Sequence, residues 1–366
     1  MRLRRLVARG FRNLADLDCT IPGRGVALLG ANAQGKTNFL EAVYYPVLFR
    51  SFRGAPDQEV AGFGAPGFHV EAFVVDAATD ETGVATLGAG YLPASRRKRI
   101  LLDGNEPNRL TEAVGRWLAV VFLPGDVNLA AGPAAVRRQY LDRLLSLADR
   151  GYLRALARYR AALAQRNSAL RQGRPELAWA FDQPLASAGA EIVAARERWA
   201  RHAGERFAAE FDCLGERGRA GLSYRGAPEL ADPGAWAQAL DDARPADRGR
   251  CVSTVGPHRD DLGLEIAGRA VRDFGSTGQQ RSAAVALKLL ELATLREARE
   301  TEPALLLDDV FAELDDDRRR RLAARLIGPA ERQVFLTAPR PDELPRGLEL
   351  EVWSVSDGRI EPGPPA

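Results

Sequence analysis

The chain has 366 residues, of which 46% are hydrophobic and 27% charged, and this composition is ordinary for a soluble globular protein of two or three compact units. No segment approaches the roughly 18 uninterrupted apolar residues of a membrane span, and the start MRLRRLVARG lacks the apolar stretch of a secretory signal, so we expect a cytoplasmic protein without a membrane partner. The formal net charge of +2 is too small to identify a nucleic-acid binder by itself.

The predicted elements divide the chain into a strand-rich part and a helical part. Residues 1–125 contain the predicted strands LRRLVARG, VALLG, HVEAFVV, GVATLGAGYL, RKRILLDGNE and AVVFLPGD, interrupted by one long helix. From Pro133 to about residue 215 the apolar period changes to about 3.6, which predicts two packed helices joined by the turn QGRPE. After a Gly-, Pro- and Asp-rich stretch over 215–250, strands return in LGLEIAGRAVRDF, ALLLDD, QVFLTA and LEVWSV. We therefore predict a discontinuous α/β head, residues 1–125 and 251–366, divided by a helical insert, residues 126–250.

The segment GANAQGKT has the spacing G-x-x-x-x-G-K-[ST] of a phosphate-binding loop. The apolar strand VALLG enters it and the helix NFLEAVYY leaves it, so backbone N–H groups and a helix N-terminus would surround the phosphates. Lysine is scarce in this chain, and the compact ammonium of Lys36 suits the β and γ phosphates of ATP better than a wide guanidinium. The alternative is a chance Gly-Lys-Thr turn. The predicted nucleotide-binding residues are Gly30, Ala31, Asn32, Ala33, Gln34, Gly35, Lys36, Thr37 and Asn38.

A nucleotide loop of this kind needs a carboxylate for Mg²⁺ at the end of a neighbouring strand. The segment ALLLDDVFAELD supplies Asp308 for this role, together with the hydroxyl of Thr37. Asp309 follows directly and is a candidate to orient or activate the attacking water, which makes Asp309 and Lys36 the predicted catalytic residues. The plain alternative is an Asp pair that caps a helix after a buried strand.

A second anion site is predicted where Ser276-Thr277-Gly278-Gln279-Gln280 precedes the amphipathic helix RSAAVALKLLELATL. Ser276, Gly278 and Gln279 are the candidate nucleotide contacts there, and the alternative for Ser276 is an ordinary helix N-cap. The order of lysine loop, serine-led helix and Asp-Asp strand resembles the ATP-binding-cassette ATPases, in which the serine completes the partner subunit's active site.

Further motifs extend the resemblance over nearly the whole chain, namely FRNL, SFRGAPDQE, VVFLPGD, AAVRRQYLD, LAQRNSALR, VGPHRDDL, STGQQR with ALKLLE, and LLLDDVFAELD. With GANAQGKTNFLEAVYY, this set resembles the RecF family of bacterial recombination-repair ATPases, which are related to the structural maintenance of chromosomes (SMC) proteins. The short helical insert argues against SMC proteins themselves, whose coiled coils are far longer. Two positions depart from the expected pattern: Gly125 stands where an acid is expected, and Thr337 stands where transporter ATPases have a switch histidine.

The resemblance implies an ABC/SMC-type P-loop ATPase head with a mixed β-sheet and an inserted α-helical arm, binding ATP and Mg²⁺ and hydrolysing ATP slowly. It implies an ATP-induced homodimer that clamps double-stranded DNA and single/double-strand junctions, with RecR, RecO and RecA as partners. By the same analogy Arg12 approaches the nucleotide, although a surface arginine is an equal alternative. In a cassette fold the lysine loop and Ser276 lie far apart, so two head-to-tail copies would enclose two ATP molecules.

Arginine clusters are the candidate DNA contacts, because each neutralised phosphate makes binding more salt-dependent. The clusters are Arg96, Arg97, Lys98 and Arg99; Arg137 and Arg138; and Arg318 to Arg321. The alternative is that each run is an ordinary solvated face.

Other nucleotide enzymes fit the sequence less well. Fragments of a kinase signature occur at 62–67, 258–260 and 273–275, but the glycine loop holds a proline and no A-P-E follows. A GTPase is disfavoured because no Asn-Lys-x-Asp motif exists. The remaining alternative is the nucleotide-binding subunit of a membrane transporter, whose lysine loop and serine helix are normally much closer in sequence than here.

Overall fold

The computed structural model describes residues 1–75, 84–216, 218–311, 316–327, 331–345, 347 and 349–363, with side chains in the helix at 316–327 described from residue 319 onward. The chain forms two compact units, one of Met1–Gly125 with Leu295–Ala366 and the other of Asp126–Thr294. The predicted insert starts at the same residue, but its predicted end at residue 250 differs from the structure. The second unit continues to Thr294 because strand Asp261–Ile266 pairs with strand Ala220–Arg225.

The elements are numbered along the chain. The strands are β1 (Arg2–Arg9), β2 (Leu17–Thr20), β3 (Gly25–Leu29), β4 (Phe68–Val75), β5 (Val84–Leu92), β6 (Arg97–Leu102), β7 (Ala119–Phe122), β8 (Ala220–Arg225), β9 (Asp261–Ile266), β10 (Arg269–Ala270), β11 (Ala304–Asp308), β12 (Val334–Ala338), β13 (Glu351–Ser356) and β14 (Arg359–Glu361). The helices are α1 (Lys36–Leu48), α2 (Asp57–Val60), α3 (Leu110–Ala113), α4 (Asn128–Ala131), α5 (Ala134–Ala148), α6 (Arg150–Arg171), α7 (Pro175–Trp179), α8 (Asp182–Cys213), α9 (Ala235–Arg250), α10 (Val271–Phe274), α11 (Thr277–Arg299) and α12 (Asp316–Ile327). Short 3₁₀ turns cover Pro124–Val127, Pro228–Ala231 and Pro341–Glu343.

A six-stranded mixed sheet forms the centre of the first unit, in the order β14-β13-β3-β12-β11-β7. The neighbours of β3, β11 and β12 are all parallel, and only β13 and β14 pair antiparallel. Parallel strands covered on both faces are expected to be apolar throughout, and the strands GVALL, ALLLD and VFLTA are buried nearly end to end. The carboxyl ends of β3, β12 and β11 therefore meet at one edge of this sheet.

A five-stranded antiparallel sheet, ordered β2-β1-β4-β5-β6, completes the first unit. Helix α1 is buried over most of its length, and its Phe39 ring lies 6.4 Å from Phe335 of β12 and 6.3 Å from Trp353 of β13. The loop after β1 is anchored by Phe11, whose ring makes an edge contact with Tyr45 of α1. These aromatic contacts hold α1, and with it the phosphate loop, against the sheet.

The second unit is mainly helical, but its helices differ from the two predicted. Helix α5 ends at Ala148, and a separate helix α6 begins at Arg150 because Asp149 caps it. The Asp149 side chain accepts a hydrogen bond from the N–H of Gly151 at 2.6 Å. The predicted turn QGRPE separates α6 from α7. Strand β8 lies inside the stretch predicted as irregular and joins a three-stranded sheet in the order β10-β9-β8. Among the described residues, no helix combines the length and apolar character needed to cross a bilayer.

Candidate nucleotide site

The loop over residues 30–35 runs from the end of β3 to the start of α1. Ala33 and Gly35 have φ of +67° and +115°, which bends the backbone into a tight turn. Gly30 has no room for a side chain, because a Cβ there would lie 2.2 Å from the carbonyl oxygen of Val355. Gly35 precedes α1 without a side-chain cap, so the first N–H groups of the helix are not used by a capping side chain. Such a helix N-terminus favours a bound anion.

Lys36 is buried, with 4% of its surface exposed, although it carries a charge. Its Nζ donates to the carbonyl oxygens of Gly30 at 2.7 Å and Ala31 at 3.1 Å. The ammonium is therefore held over the loop by the loop's own carbonyls. An ammonium has three donors, so this arrangement is compatible with one further acceptor.

The side chains of two predicted nucleotide-binding residues, Gln34 and Asn38, make contacts that support the loop. The Oε1 of Gln34 accepts the N–H of Asp357 at 2.6 Å, and the Nδ2 of Asn38 donates to Oδ1 of Asn13 at 2.6 Å. Asn13 in turn directs its Nδ2 toward the carbonyl oxygen of Ala33 at 3.4 Å. Phosphate contact by Gln34 and Asn38 stays a prediction.

The sheet edge brings Asp308 to Thr37, although 271 residues separate them in sequence. The Oγ1 of Thr37 lies 2.9 Å from both carboxylate oxygens of Asp308, and the hydroxyl of Thr337 donates to the same carboxylate at 2.9 Å. Burial raises the pKa of Asp308 above its usual value, while the hydrogen bonds from Thr37 and Thr337 oppose the rise. Perturbed pKa values of this kind are common at functional sites.

Thr337 is a site residue that sequence reasoning treated only as a missing histidine. Its Oγ1 accepts the N–H of Asp309 at 3.0 Å and lies 3.2 Å from Oδ1 of Asp309. Asp309 has φ of +50°, an uncommon conformation for a residue other than glycine, and Thr337 holds it there. The available signal was a polar residue at the carboxyl end of an otherwise apolar strand beside the Asp-Asp strand.

Arg12 lies in the same unit and is fixed by the body of α1. Its Nε and Nη2 donate to the two carboxylate oxygens of Glu41 at 3.0 and 2.8 Å, and its Nη1 donates to the carbonyl of Glu59 at 2.8 Å. The Glu41 side chain is fully buried, and Arg53 approaches it to 3.7 Å. The surface-arginine alternative for Arg12 is therefore wrong, and its approach to a nucleotide remains a prediction. Glu41 was missed because its partner lies in a distant loop.

The donors at the sheet edge fit Mg²⁺. Two ligands at right angles on an octahedral Mg²⁺, each about 2.1 Å from the ion, lie about 3.0 Å apart. The Thr37 hydroxyl and the Asp308 carboxylate, now 2.9 Å apart in a hydrogen bond, could take up this separation with little movement. The described residues contain no group of three or more His, Cys, Asp or Glu that could hold a metal by itself. A magnesium ion here would take its remaining ligands from phosphate oxygens and water.

The serine-led helix lies in the second unit, and its start is an ordinary capping box. Ser276 Oγ accepts the N–H of Gln279 at 3.2 Å, and Gln279 Oε1 accepts the N–H of Ser276 at 3.0 Å. Ser276 is exposed, and 69% of Phe274 is exposed beside it. The predicted N-cap is therefore present. The anion site at Ser276, Gly278 and Gln279 stays a prediction.

The first arginine cluster divides into exposed and engaged side chains. Arg96 lies in the turn before β6 with φ of +52°, and Arg97 is the first residue of β6; both side chains are exposed. Lys98 donates to the carbonyl of Phe49, lies 3.0 Å from Asp57 and sits over the Tyr45 ring. Arg99 pairs with Glu106 at 2.5 Å. Lys98 and Arg99 thus serve contacts within the unit, while Arg96 and Arg97 are free to meet a phosphate.

The second cluster corrects a predicted DNA contact. Arg137 is 5% exposed and forms a two-pronged ion pair with Asp261, with Nε and Nη2 at 2.7 and 2.8 Å from its oxygens. Arg138 is half-buried and donates to the carbonyl of Asp260 at 2.7 Å. Arg137 is therefore a buried structural residue and not a surface contact. In the third cluster, the side chain of Arg318 lies outside the described residues.

The kinase-like segment His258-Arg259-Asp260 also has a structural role in the second unit. His258 accepts a hydrogen bond from Tyr159 at Nδ1 over 2.6 Å and donates from Nε2 to the carbonyl of Ser253 over 2.9 Å. Burial lowers the pKa of His258, which keeps the ring neutral. Asp260 bonds to Tyr224. These contacts use the side chains that a kinase would need for catalysis.

Comparisons with known proteins cover almost the full chain. It is 35% identical to the DNA replication and repair protein RecF of Thermomicrobium roseum, over 99% of this chain and all of that protein, and 36% identical to RecF of Moorella thermoacetica, over 98% and 95%. A solved structure of the recombination mediator protein RecF with ATP matches with a TM-score of 0.90 and 29% identity, over 99% of this chain and 97% of the other. An SMC head bound to the winged-helix domain of ScpA shares the fold at a TM-score of 0.57 and 15% identity. No family model matches the chain.

Proposed function

We propose that this chain, which belongs to the RecF family of DNA replication and repair proteins, is a slow ATPase. On the same premise, it clamps DNA as an ATP-induced homodimer. In this proposal it acts in the cytoplasm at gaps and junctions and, with RecR and RecO, promotes RecA loading. Full-length similarity to RecF favours this function over a transporter subunit.

The observation that carries the proposal is the sheet edge where the phosphate loop, Thr37 and Asp308 meet. The loop backbone and the N-terminus of α1 would bind the triphosphate, and Lys36 would neutralise its outer phosphates. Asp308 and Thr37 would hold Mg²⁺, which supplies charge neutralisation on the phosphate oxygens when bound. RecF proteins of 29% and 30% identity were solved with ATP or an analogue, which supports ATP as the nucleotide.

Asp309 is the group that would orient the attacking water. Its N–H donates to the hydroxyl oxygen of Thr337 at 3.0 Å, and its Oδ1 lies 3.2 Å from the same oxygen. A water that donates a hydrogen bond to the Asp309 carboxylate could then attack the outermost phosphorus in line with the leaving oxygen. Slow turnover is part of this proposal, because Thr337 stands where transporter ATPases have a switch histidine.

Dimerisation follows in this proposal from the exposed serine at the start of α11. The cap leaves Ser276 Oγ as an acceptor of the Gln279 N–H, so its own O–H is free to donate to a phosphate oxygen. A γ-phosphate bound by one copy would receive this donor from the other copy, and hydrolysis would remove the contact. Exposed Arg96 and Arg97 are the surviving candidates for DNA phosphates in the first cluster.

The test compares Ser276→Arg with Ser223→Arg, which replaces an exposed serine on β8 of the same unit. Sedimentation with Mg²⁺ and a slowly hydrolysed ATP analogue should show dimers of the wild type and of the Ser223 variant. The Ser276 variant should remain monomeric while it binds the nucleotide with wild-type affinity. Intact dimers of Ser276→Arg would overturn the dimer model, and equal retention of the wild type on duplex DNA with and without ATP would overturn the clamp.

A further inference from the structure

A two-residue turn near the C-terminus contacts the phosphate loop from outside. Strands β13 and β14 pair through Ser356 and Arg359, which leaves Asp357 and Gly358 as the turn, with φ of +48° and +77°. Two positive φ values in an Asp-Gly pair are typical of a tight hairpin turn. Both turn amides bond to Gln34: the N–H of Asp357 to its Oε1 at 2.6 Å, and the N–H of Gly358 to its carbonyl oxygen at 2.9 Å.

Gly358 also contacts the loop that follows β1. Its carbonyl oxygen accepts the N–H of Ala15 at 2.9 Å. A Cβ on Gly358 would lie only 1.9 Å from the carbonyl oxygen of Asn13, a backbone atom that cannot move aside cheaply. A Cβ on Gly35, at the other side of the junction, would lie 3.4 Å from the Gly358 Cα. Three segments thus converge on a position that admits only glycine.

The convergence has a physical reason in the geometry of a phosphate loop. A loop that turns successive N–H groups toward an anion turns its carbonyl oxygens the other way, and each of these needs a donor. Lys36 supplies donors to the carbonyls of Gly30 and Ala31, and the hairpin turn supplies one to Gln34. The Gln34 peptide therefore depends for its orientation on residues more than 300 positions away.

We propose that the Asp357–Gly358 turn is a positioning element for nucleotide binding, which sets the Gln34 peptide so that the loop amides face the triphosphate. The inference rests on the proposed function, because it assigns the turn a part in ATP binding. It requires that disturbing the turn weakens ATP binding by more than any accompanying loss of stability explains.

The chain contains a matched control for this turn. Asp103 and Gly104 form a second two-residue turn, closed by bonds between Leu102 and Asn105 of 2.8 and 3.1 Å. Their φ values, +52° and +79°, match those of Asp357 and Gly358. No atom lies within 4 Å of a Cβ built on Gly104. An alanine at Gly104 therefore carries the same backbone strain without a clash.

The experiment titrates wild type, Gly358→Ala and Gly104→Ala with a fluorescent ATP analogue and Mg²⁺, well below each melting temperature. Gly358→Ala should bind at least about tenfold more weakly, equivalent to about 1.4 kcal/mol of binding energy. Gly104→Ala should bind like the wild type. Gln34→Met, which removes the Oε1 acceptor without shortening the side chain, should also bind several-fold more weakly, and it decides the matter if Gly358→Ala does not fold.

Wild-type affinity in both Gly358→Ala and Gln34→Met would overturn the positioning role while leaving ATP binding intact. Wild-type affinity in Gln34→Met alone, with Gly358→Ala unfolded, would overturn it equally. A wild-type protein that binds no ATP analogue would instead overturn the proposed function itself, so the two failures are distinguishable.

Discussion

Replacing Thr337 by valine removes one hydroxyl that bonds to both aspartates of the site, to the carboxylate of Asp308 and the N–H of Asp309. Thr337 is 1% exposed, and its Oγ1 accepts the N–H of Asp309 at 3.0 Å while donating to Asp308 at 2.9 Å. A buried N–H without a partner costs about 1–3 kcal/mol, and a lost hydrogen bond to a charged group costs about 1.5–3 kcal/mol. The valine methyl offsets about 0.8 kcal/mol, and water can reach the half-buried Asp309. These terms add to about 2–5 kcal/mol, and because water access lowers the cost at Asp309, the net loss should lie near the lower end, at about 2–3 kcal/mol.

This loss should be visible in thermal unfolding and in ATP turnover. For a domain of 150–250 residues, each kcal/mol shifts the melting temperature by about 2–4 °C, so Thr337→Val should melt about 4–12 °C lower. Turnover should fall at least about tenfold, because Asp309 loses the contact that positions it, whereas ATP binding should persist. Thr337→Ser keeps the hydroxyl and should retain most of both properties. If Thr337→Val melts and turns over like Thr337→Ser, the hydroxyl has no such role.

The charged groups of the two units give three further predictions. Burial raises the pKa of Asp308, so its ionisation opposes folding at neutral pH but not below the usual aspartate pKa of about 4. Asp308→Asn should therefore melt at a higher temperature than the wild type at about pH 7.5 and lose this gain as the pH falls to about 4. An equal gain at both pH values would contradict the assignment. Lys36→Met and Lys36→Arg should both weaken ATP binding at least about tenfold in a titration. Methionine removes the charge, and the guanidinium of arginine is wider than the ammonium, whose Nζ lies 2.7 Å from the carbonyl oxygen of Gly30. Full affinity in the arginine variant would refute the steric argument. Arg97→Ala should reduce the slope of log affinity for DNA against log salt by about 0.9 per lost phosphate contact, with little change in the melting temperature. Arg137→Ala should instead lower the melting temperature, because it leaves Asp261 without its ion-pair partner. An unchanged salt slope together with a lower melting temperature in Arg97→Ala would exclude Arg97 as a contact.

The parts of the site that could be predicted from the sequence are formed by residues that follow one another in the chain. Strand β3, the phosphate loop and α1 follow one another directly, so their chemistry could be predicted from the spacing of Gly30, Gly35 and Lys36 alone. Asp308 was equally accessible, because a carboxylate at the end of a buried apolar strand is costly to desolvate unless it binds a partner. The capping box at Ser276 and Gln279 is a local signal of the same kind.

The parts that could not be predicted from the sequence depend on contacts between distant segments. Arg137 looks like part of a surface cluster until Asp261, 124 residues away, is placed against it. The bond from the hairpin turn to the Gln34 side chain joins residues 323 positions apart and has no signal in the sequence. Glu41 and Thr337 carry no motif, and only the packing of α1 and the register of β12 against β11 give them partners. The second unit's end at Thr294 likewise follows from the pairing of β8 with β9.

The position of β3 in its sheet also dictates when the phosphate loop can form during synthesis. Strand β3 ends at residue 29, yet its neighbours on both sides, β12 and β13, begin only at residues 334 and 351. At about 5–20 residues per second, a ribosome needs on the order of 15–60 s to produce the first of these neighbours. A polypeptide synthesised only as far as β11 therefore carries the lysine motif without the strands that flank it, and the framework of the loop requires translation beyond β13.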